Sequence, residues 1–223
     1  MFIGIDYSPQ CVALVSFIHG RYEARTILYD GAGPMVEERP DPHWHIIIYH
    51  AAKSPNSIQH YENVKQFVMT QVQAFIDFHN DERESAPCIG IEDNLHSFVG
   101  SSQFTQMAEM KAVIALACHE QHWEYYVINV STARAIWIRR PLPHGPRGQN
   151  LRDAWYQYKE QPIKRKLHTL FRIREGFRFR TVNRPYHDII DAYVQFHAVS
   201  TRPAQIDRAD KYANRPLRAF LRV

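Results

Sequence analysis

Cysteine is scarce in this chain and is never spaced to share a metal ion or form a redox pair. Its three residues, Cys11, Cys88 and Cys118, lie inside apolar runs and make no CxxC motif. That usage fits buried, reduced thiols in a cytosolic protein and excludes a disulfide framework or a zinc ribbon. Long apolar runs are missing as well: none reaches the roughly 18 residues of a membrane-spanning helix, and no signal-peptide pattern is found. Secretion and membrane insertion are therefore not expected. Among signature motifs, no glycine-rich Walker loop, HExxH or GxSxG occurs to support phosphate-loop, zinc-protease or serine-hydrolase chemistry. No internal repeat is present.

What the chain does have is charge, unevenly divided. Its 223 residues suffice for one sizeable α/β domain with insertions. The formal net charge of +4 hides two halves: residues 1–130 carry 7 Lys/Arg against 16 Asp/Glu, and residues 131–223 carry 20 against 7. The basic half is mostly arginine interleaved with Trp, Tyr and Phe, a composition suited to a phosphate-rich polymer.

Hydrophobic patterning divides the chain into elements. Phe2–Tyr7, Cys11–His19 and Arg21–Tyr29 read as three strands, with Gly20 turning a hairpin between the last two. Residues 30–57 hold four prolines and the segment Trp44-His45-Ile46-Ile47-Ile48-Tyr49, which reads as a loop insertion with one extra short strand. His43 and His45 would share a face of that strand, but with no third ligand nearby they read as structural or surface residues. Ser57–Asn80 and Ser101–His122 carry helical apolar stripes. Cys88–Glu92 and Glu124–Ile128 read as buried strands, and Ser131 as the cap of a short helix. Residues 139–152 read as a loop rich in Pro, Gly and Arg, Lys159–Arg174 as a basic helix, and Tyr186–Ser200 as the last long helix. The expected fold is α/β, a mixed five-stranded sheet of order 3-2-1-4-5 with strand 2 antiparallel and helices on both faces.

Three acidic stations stand out in this layout. Asp6 ends the run Phe2-Ile3-Gly4-Ile5, Glu92 ends Cys88-Ile89-Gly90-Ile91, and Asp188 and Asp191 lie in the apolar helix that starts near Tyr186. At about 100° per residue, His187, Asp188, Asp191 and Gln195 fall within one polar stripe on that helix. The expected topology sets the ends of strands 1 and 4 side by side, at the sheet edge where α/β proteins build sites. Converging buried carboxylates repel one another unless a cation compensates them, and hard oxygen donors suit Mg²⁺. The pattern therefore points to two-metal phosphodiester hydrolysis. Asp6 would bridge the ions, and His187 or Asp188 would orient the water or complete a metal site.

Four segments together resemble the RuvC-type Holliday-junction resolvases of the ribonuclease H superfamily. Gly4-Ile5-Asp6 is similar to the family's first-strand motif, and Ile91-Glu92 with Phe98 and Ser101–Ala115 to its second acid, wedge loop and following helix. Asn129-Val130-Ser131-Thr132-Ala133-Arg134 resembles its Pro-Thr-x-x-Lys segment, and His187-Asp188-Ile189-Ile190-Asp191-Ala192 its closing Asp-x-x-Asp-Ala helix. The resemblance implies a ribonuclease H-like domain over residues 1–200, with insertions near 30–57 and 139–160, and a basic tail over 201–223. It implies a homodimeric endonuclease of a bacterial cytoplasm, phage-encoded or divergent, that nicks opposed strands of a four-way DNA junction. Two Mg²⁺ ions, replaceable by Mn²⁺, would be held by Asp6, Glu92, Asp188 and Asp191. Phe98 (or His96) would stack at the junction centre, and Arg134, Arg139, Arg140, Arg147, Lys164 and Lys166 would contact DNA. The chain departs from the pattern at Tyr7-Ser8-Pro9, at Asp93 directly after Glu92, and at Arg134 in the basic position. Competing expectations are a relative acting on flaps, R-loops or packaging DNA, and a non-catalytic binder of branched DNA. An actin-like ATPase, which also opens on Gly-Ile-Asp, would need a second glycine-rich phosphate loop, and none is found.

Overall fold

Alternation between the two sheet faces shapes the first strand. In β1 (Phe2–Ser8), Ile3, Ile5 and Tyr7 point to one face and Gly4 and Asp6 to the other, and all five are buried. β2 (Cys11–Ile18) pairs antiparallel with β1, and β3 (Arg21–Tyr29) antiparallel with β2. The β2–β3 hairpin closes through His19 and Gly20, at φ 50° and 81°. Two successive positive φ values are what a two-residue turn needs to match strand twist. In the computed structural model, residues 1–31, 33–40, 42–79, 86–93, 102–130, 132–133, 136 and 185–201 are described.

The insertion after β3 differs from expectation. It contributes two strands, β4 (Met35–Pro40) and β5 (Trp44–Ala51), so the sheet has seven strands rather than five. β5 lies parallel to β3, and β4 folds back antiparallel along β5. With β6 (Cys88–Asp93) parallel to β1 and β7 (Glu124–Asn129) parallel to β6, the order is β4-β5-β3-β2-β1-β6-β7. The expected order 3-2-1-4-5 is corrected by this two-strand extension beyond β3. The physical cause is that β3 still had an unpaired edge, and the run Ile46-Ile47-Ile48, buried in the sheet, satisfies it. His45 contacts both oxygens of Glu23 at 3.0 Å, so it serves the β3–β5 seam rather than a zinc ion.

Helices cover both faces. α1 (Ser57–Phe78) is capped by Asn56, whose side chain accepts from the Gln59 N–H at 2.8 Å. Its stripe of Val64, Phe67, Val68, Val72 and Phe75 packs, with Met107, Met110 and Ile114 of α2 (Ser102–Glu120), against Ile3, Ile5, Leu14, Ile89 and Ile91. α3 (Tyr186–Thr201) lies on the opposite face, against Ala13, Val15, Ala24 and the insertion's Trp44, Ile46 and Ile48. Tyr22 stacks on Trp44 at 4.7 Å and meets Tyr193 of α3 edge-on at 5.1 Å, which ties the insertion to that helix. The result is a mixed α/β sheet between helical layers. The three cysteines are free and buried, and burial pushes the Cys118 thiol up to about 12. Among the described residues, no helix is long and apolar enough to cross a membrane.

Candidate active site

The site begins with two glycines. Gly4 and Gly90 are register partners on the parallel strands β1 and β6, and each precedes an acid by two residues, as Gly4-Ile5-Asp6 and Gly90-Ile91-Glu92. Side chains two apart on a strand share a face, so both glycines and both acids face α3. A Cβ on Gly4 would overlap the Ala192 carbonyl oxygen and the Phe196 amide nitrogen, and one on Gly90 would come within 2.9 Å of the Gln195 carbonyl oxygen. The helix backbone thus rests directly on the two strands. Residues 192–199 lie over the glycines, and Asp188 and Asp191 act on Asp6 through their charges, so the first turns of α3 lie toward the strand ends where Asp6 and Glu92 stand.

Asp6, Glu92 and Asp188 are 5%, 3% and 6% exposed, and Asp191 is half-buried at the rim. The Asp6 carboxyl is held well above the usual carboxylate range. Burial is the largest cause, followed by the charges of Glu92, Asp188 and Asp191, and a hydrogen bond from the Tyr7 backbone N–H pulls the other way. The three other sequence-predicted carboxylates are therefore all brought within electrostatic reach of Asp6. Among the described residues, no three His, Cys, Asp or Glu side chains are already drawn around a single point as a ligand set. The four are gathered, not closed. As hard, anionic oxygen donors, they have the chemistry to hold divalent cations.

The doublet Glu92-Asp93 splits across the sheet. Asp93 points to the α1/α2 side, where it pairs with Lys111 of α2 at 3.1 Å, with side chains 7% and 17% exposed. Tyr7 is buried on the same side and lies within the field of Asp93, which together with burial raises its hydroxyl far above its ordinary value. This departure from the family pattern thus adds no fifth acid to the cluster. Its partner Lys111, like the notch made by Gly4 and Gly90, escaped the sequence reading. The repeated triplet Gly-Ile-acid was the available signal for the notch. Lys111 had none, since its pairing depends on how α2 docks.

Of the other expected site residues, His187 lies in the first turn of α3, and nothing is described of its side chain. Phe98 (with His96), Arg134, Arg139, Arg140, Arg147, Lys164 and Lys166 lie outside the described residues, as do the 139–160 insertion and the tail beyond Thr201.

No protein-family model matches the chain, and no curated protein matches it. Among solved structures, RuvC of Thermus thermophilus aligns over 89% of this chain and 92% of its own, at 11% identity and a TM-score of 0.42, a likeness too distant to fix a shared fold.

Proposed function

We propose that this chain is a metal-dependent endodeoxyribonuclease that cuts branched DNA, with the four-way junction as its substrate. The observation that carries the reading is the buried meeting of Asp6 with Glu92, Asp188 and Asp191 at the carboxyl ends of two parallel strands. Four carboxylates converging on a dry site are a liability that bound cations would relieve. Asp6, on the strand between β2 and β6, would take the bridging position. Glu92 and Asp188 would complete the buried wall, and Asp191 would stand at the opening where a phosphate enters. Two Mg²⁺ ions bound there would supply an activated water and stabilise the departing 3′ oxygen. The chain's own part is orientation and exclusion. The Tyr7 N–H holds the Asp6 carboxylate, the seating of α3 on glycine holds Asp188 and Asp191 above it, and burial keeps bulk water away. The arginine-rich segment 131–223 would bind the DNA backbone, and two protomers related by a two-fold axis would make the paired nicks.

The test is cleavage of a labelled immobile junction in Mg²⁺, beside linear duplex, flap and single-stranded controls. Symmetric paired nicks with linear DNA spared support the reading. Cleavage of flaps or linear DNA keeps the metal site and moves the substrate to the related nucleases. Asp6→Asn, Glu92→Gln and Asp191→Asn are expected to lose cleavage and retain junction binding, and loss of binding with cleavage per bound complex intact refutes the assigned roles.

A further inference from the structure

Gln195 is wholly buried on α3, and among the described residues neither its amide nitrogen nor its amide oxygen has a hydrogen-bond partner. A dry, unpartnered carboxamide destabilises the fold that contains it. Its neighbours Ala192, Phe196 and Val199 are apolar, so packing alone would favour an apolar side chain at this position.

The surroundings of Gln195 supply a reason for it. Its backbone carbonyl rests on Gly90, two residues before Glu92 on the same face of β6. On α3 it follows Asp191 by one turn and Asp188 by two, and the three share a stripe roughly 60° wide. Helical side chains lean toward the helix N-terminus, so Gln195 leans from the level of Gly90 toward Glu92 and the two aspartates. Among the described residues it is an unpaired donor and acceptor, one turn below Asp191 on the face of α3 that rests on β6.

We propose that Gln195 is a positioning residue for the metal ligands: its amide N–H donates to the Glu92 carboxylate when the site closes on a divalent cation. The proposal rests on the metal-dependent reading above and adds to it which side chain orients a ligand. Hydrogen bonds of this kind, one layer behind a metal, fix ligand orientation and typically change metal affinity about 10–100-fold. Without metal, the amide has no partner among the described residues and is a burden. With metal bound, it is satisfied.

The experiment uses the full chain without DNA and titrates Mn²⁺ calorimetrically against wild type and Gln195→Met, a change of similar size and shape. The variant is expected to melt about 2–4 °C higher without metal, because the unpartnered amide is gone. It is also expected to bind Mn²⁺ about 10–100-fold more weakly. A residue with a merely structural role would not move stability and metal affinity in opposite directions. Gln195→Leu repeats the measurement if the methionine variant does not fold, and failure of both to fold without metal overturns the proposal. Equal Mn²⁺ affinity in wild type and variant overturns the role of Gln195 and leaves the metal site standing. A wild type that binds no Mn²⁺ at millimolar concentration overturns the metal-dependent reading and this proposal with it.

Discussion

Gly4→Ala adds a single carbon at the point where the fold has least room. The new Cβ would overlap the Ala192 carbonyl oxygen and the Phe196 amide nitrogen, and it would lie 2.9 Å from the Phe196 Cα. These are backbone atoms inside a helix, so no side chain can swing aside and α3 itself must lift by about 1 Å or more. Overpacking of this kind costs about 1–3 kcal/mol where side chains can yield, and a rigid backbone puts this case at about 3 kcal/mol. For a chain of this size the melting temperature then falls by about 6–12 °C. Lifting α3 also moves Asp188 and Asp191 away from Asp6 and Glu92, and a displacement of about 1 Å at a reacting centre can cost about 100-fold in rate. The control series is graded. A Cβ at Gly90 meets the Gln195 carbonyl oxygen at 2.9 Å and the movable Val199 Cγ1 at 3.0 Å, and one at Gly33 meets nothing within 4 Å. Urea unfolding of the three variants should rank Gly4→Ala well below Gly90→Ala, with Gly33→Ala near wild type. Junction cleavage per folded molecule should follow the same order. If Gly4→Ala lies within about 1 kcal/mol of wild type, α3 does not seat on β1 as described.

Asp6 gives a pH dependence whose direction is fixed. Its folded-state pKa is raised above the ordinary 3.8, so the stability it contributes is fully present below that pH and is lost as pH rises through the folded value. Without metal, Asp6→Asn should therefore gain on wild type as pH increases toward 8, and a difference in urea midpoint that stays flat from acid to neutral pH refutes the clustering. Lys111→Met should cost about 3–5 kcal/mol by leaving the buried Asp93 without its cation. Adding Asp93→Asn should recover most of that loss, and a double variant no better than the single one would show that the pair is not coupled. Trp44→Ala should cost about 3–5 kcal/mol, since Trp44 is buried between Tyr22 and Tyr193. A loss below about 1 kcal/mol in a denaturant melt would show that the insertion does not brace α3.

The elements that could be read from sequence are those whose pattern is local. The short apolar run from Phe2 marked β1, Gly20 marked the hairpin, and the helical spacing of Val64, Phe67, Val68 and Val72 marked α1. β4 escaped because Met35-Val36-Glu37-Glu38 has neither alternation nor an apolar run. Its identity as a strand depends on β5, and the place of β5 depends on an open edge of β3 contributed elsewhere in the chain. The same division holds at the site. The acids were legible because carboxylates at the ends of apolar runs are anomalous wherever they occur. That α3 would lie on Gly4 and Gly90, and that Asp93 would turn away to Lys111, are outcomes of packing between segments distant in sequence.

The seating of α3 on Gly4 and Gly90 also sets an order of events. β1, β2 and β3 are joined by tight hairpins and can pair as soon as they are made, whereas α3 joins β1 across nearly the full length of the chain. Contacts so far apart in sequence close late, after the local ones have formed. Asp6 is thus synthesised well before Asp188 and Asp191, and it meets them only when the last described helix docks. A nascent chain that stops short of α3 holds only Asp6 and Glu92 of the four carboxylates and lacks the helix that covers them, so the cluster is assembled only when α3 docks.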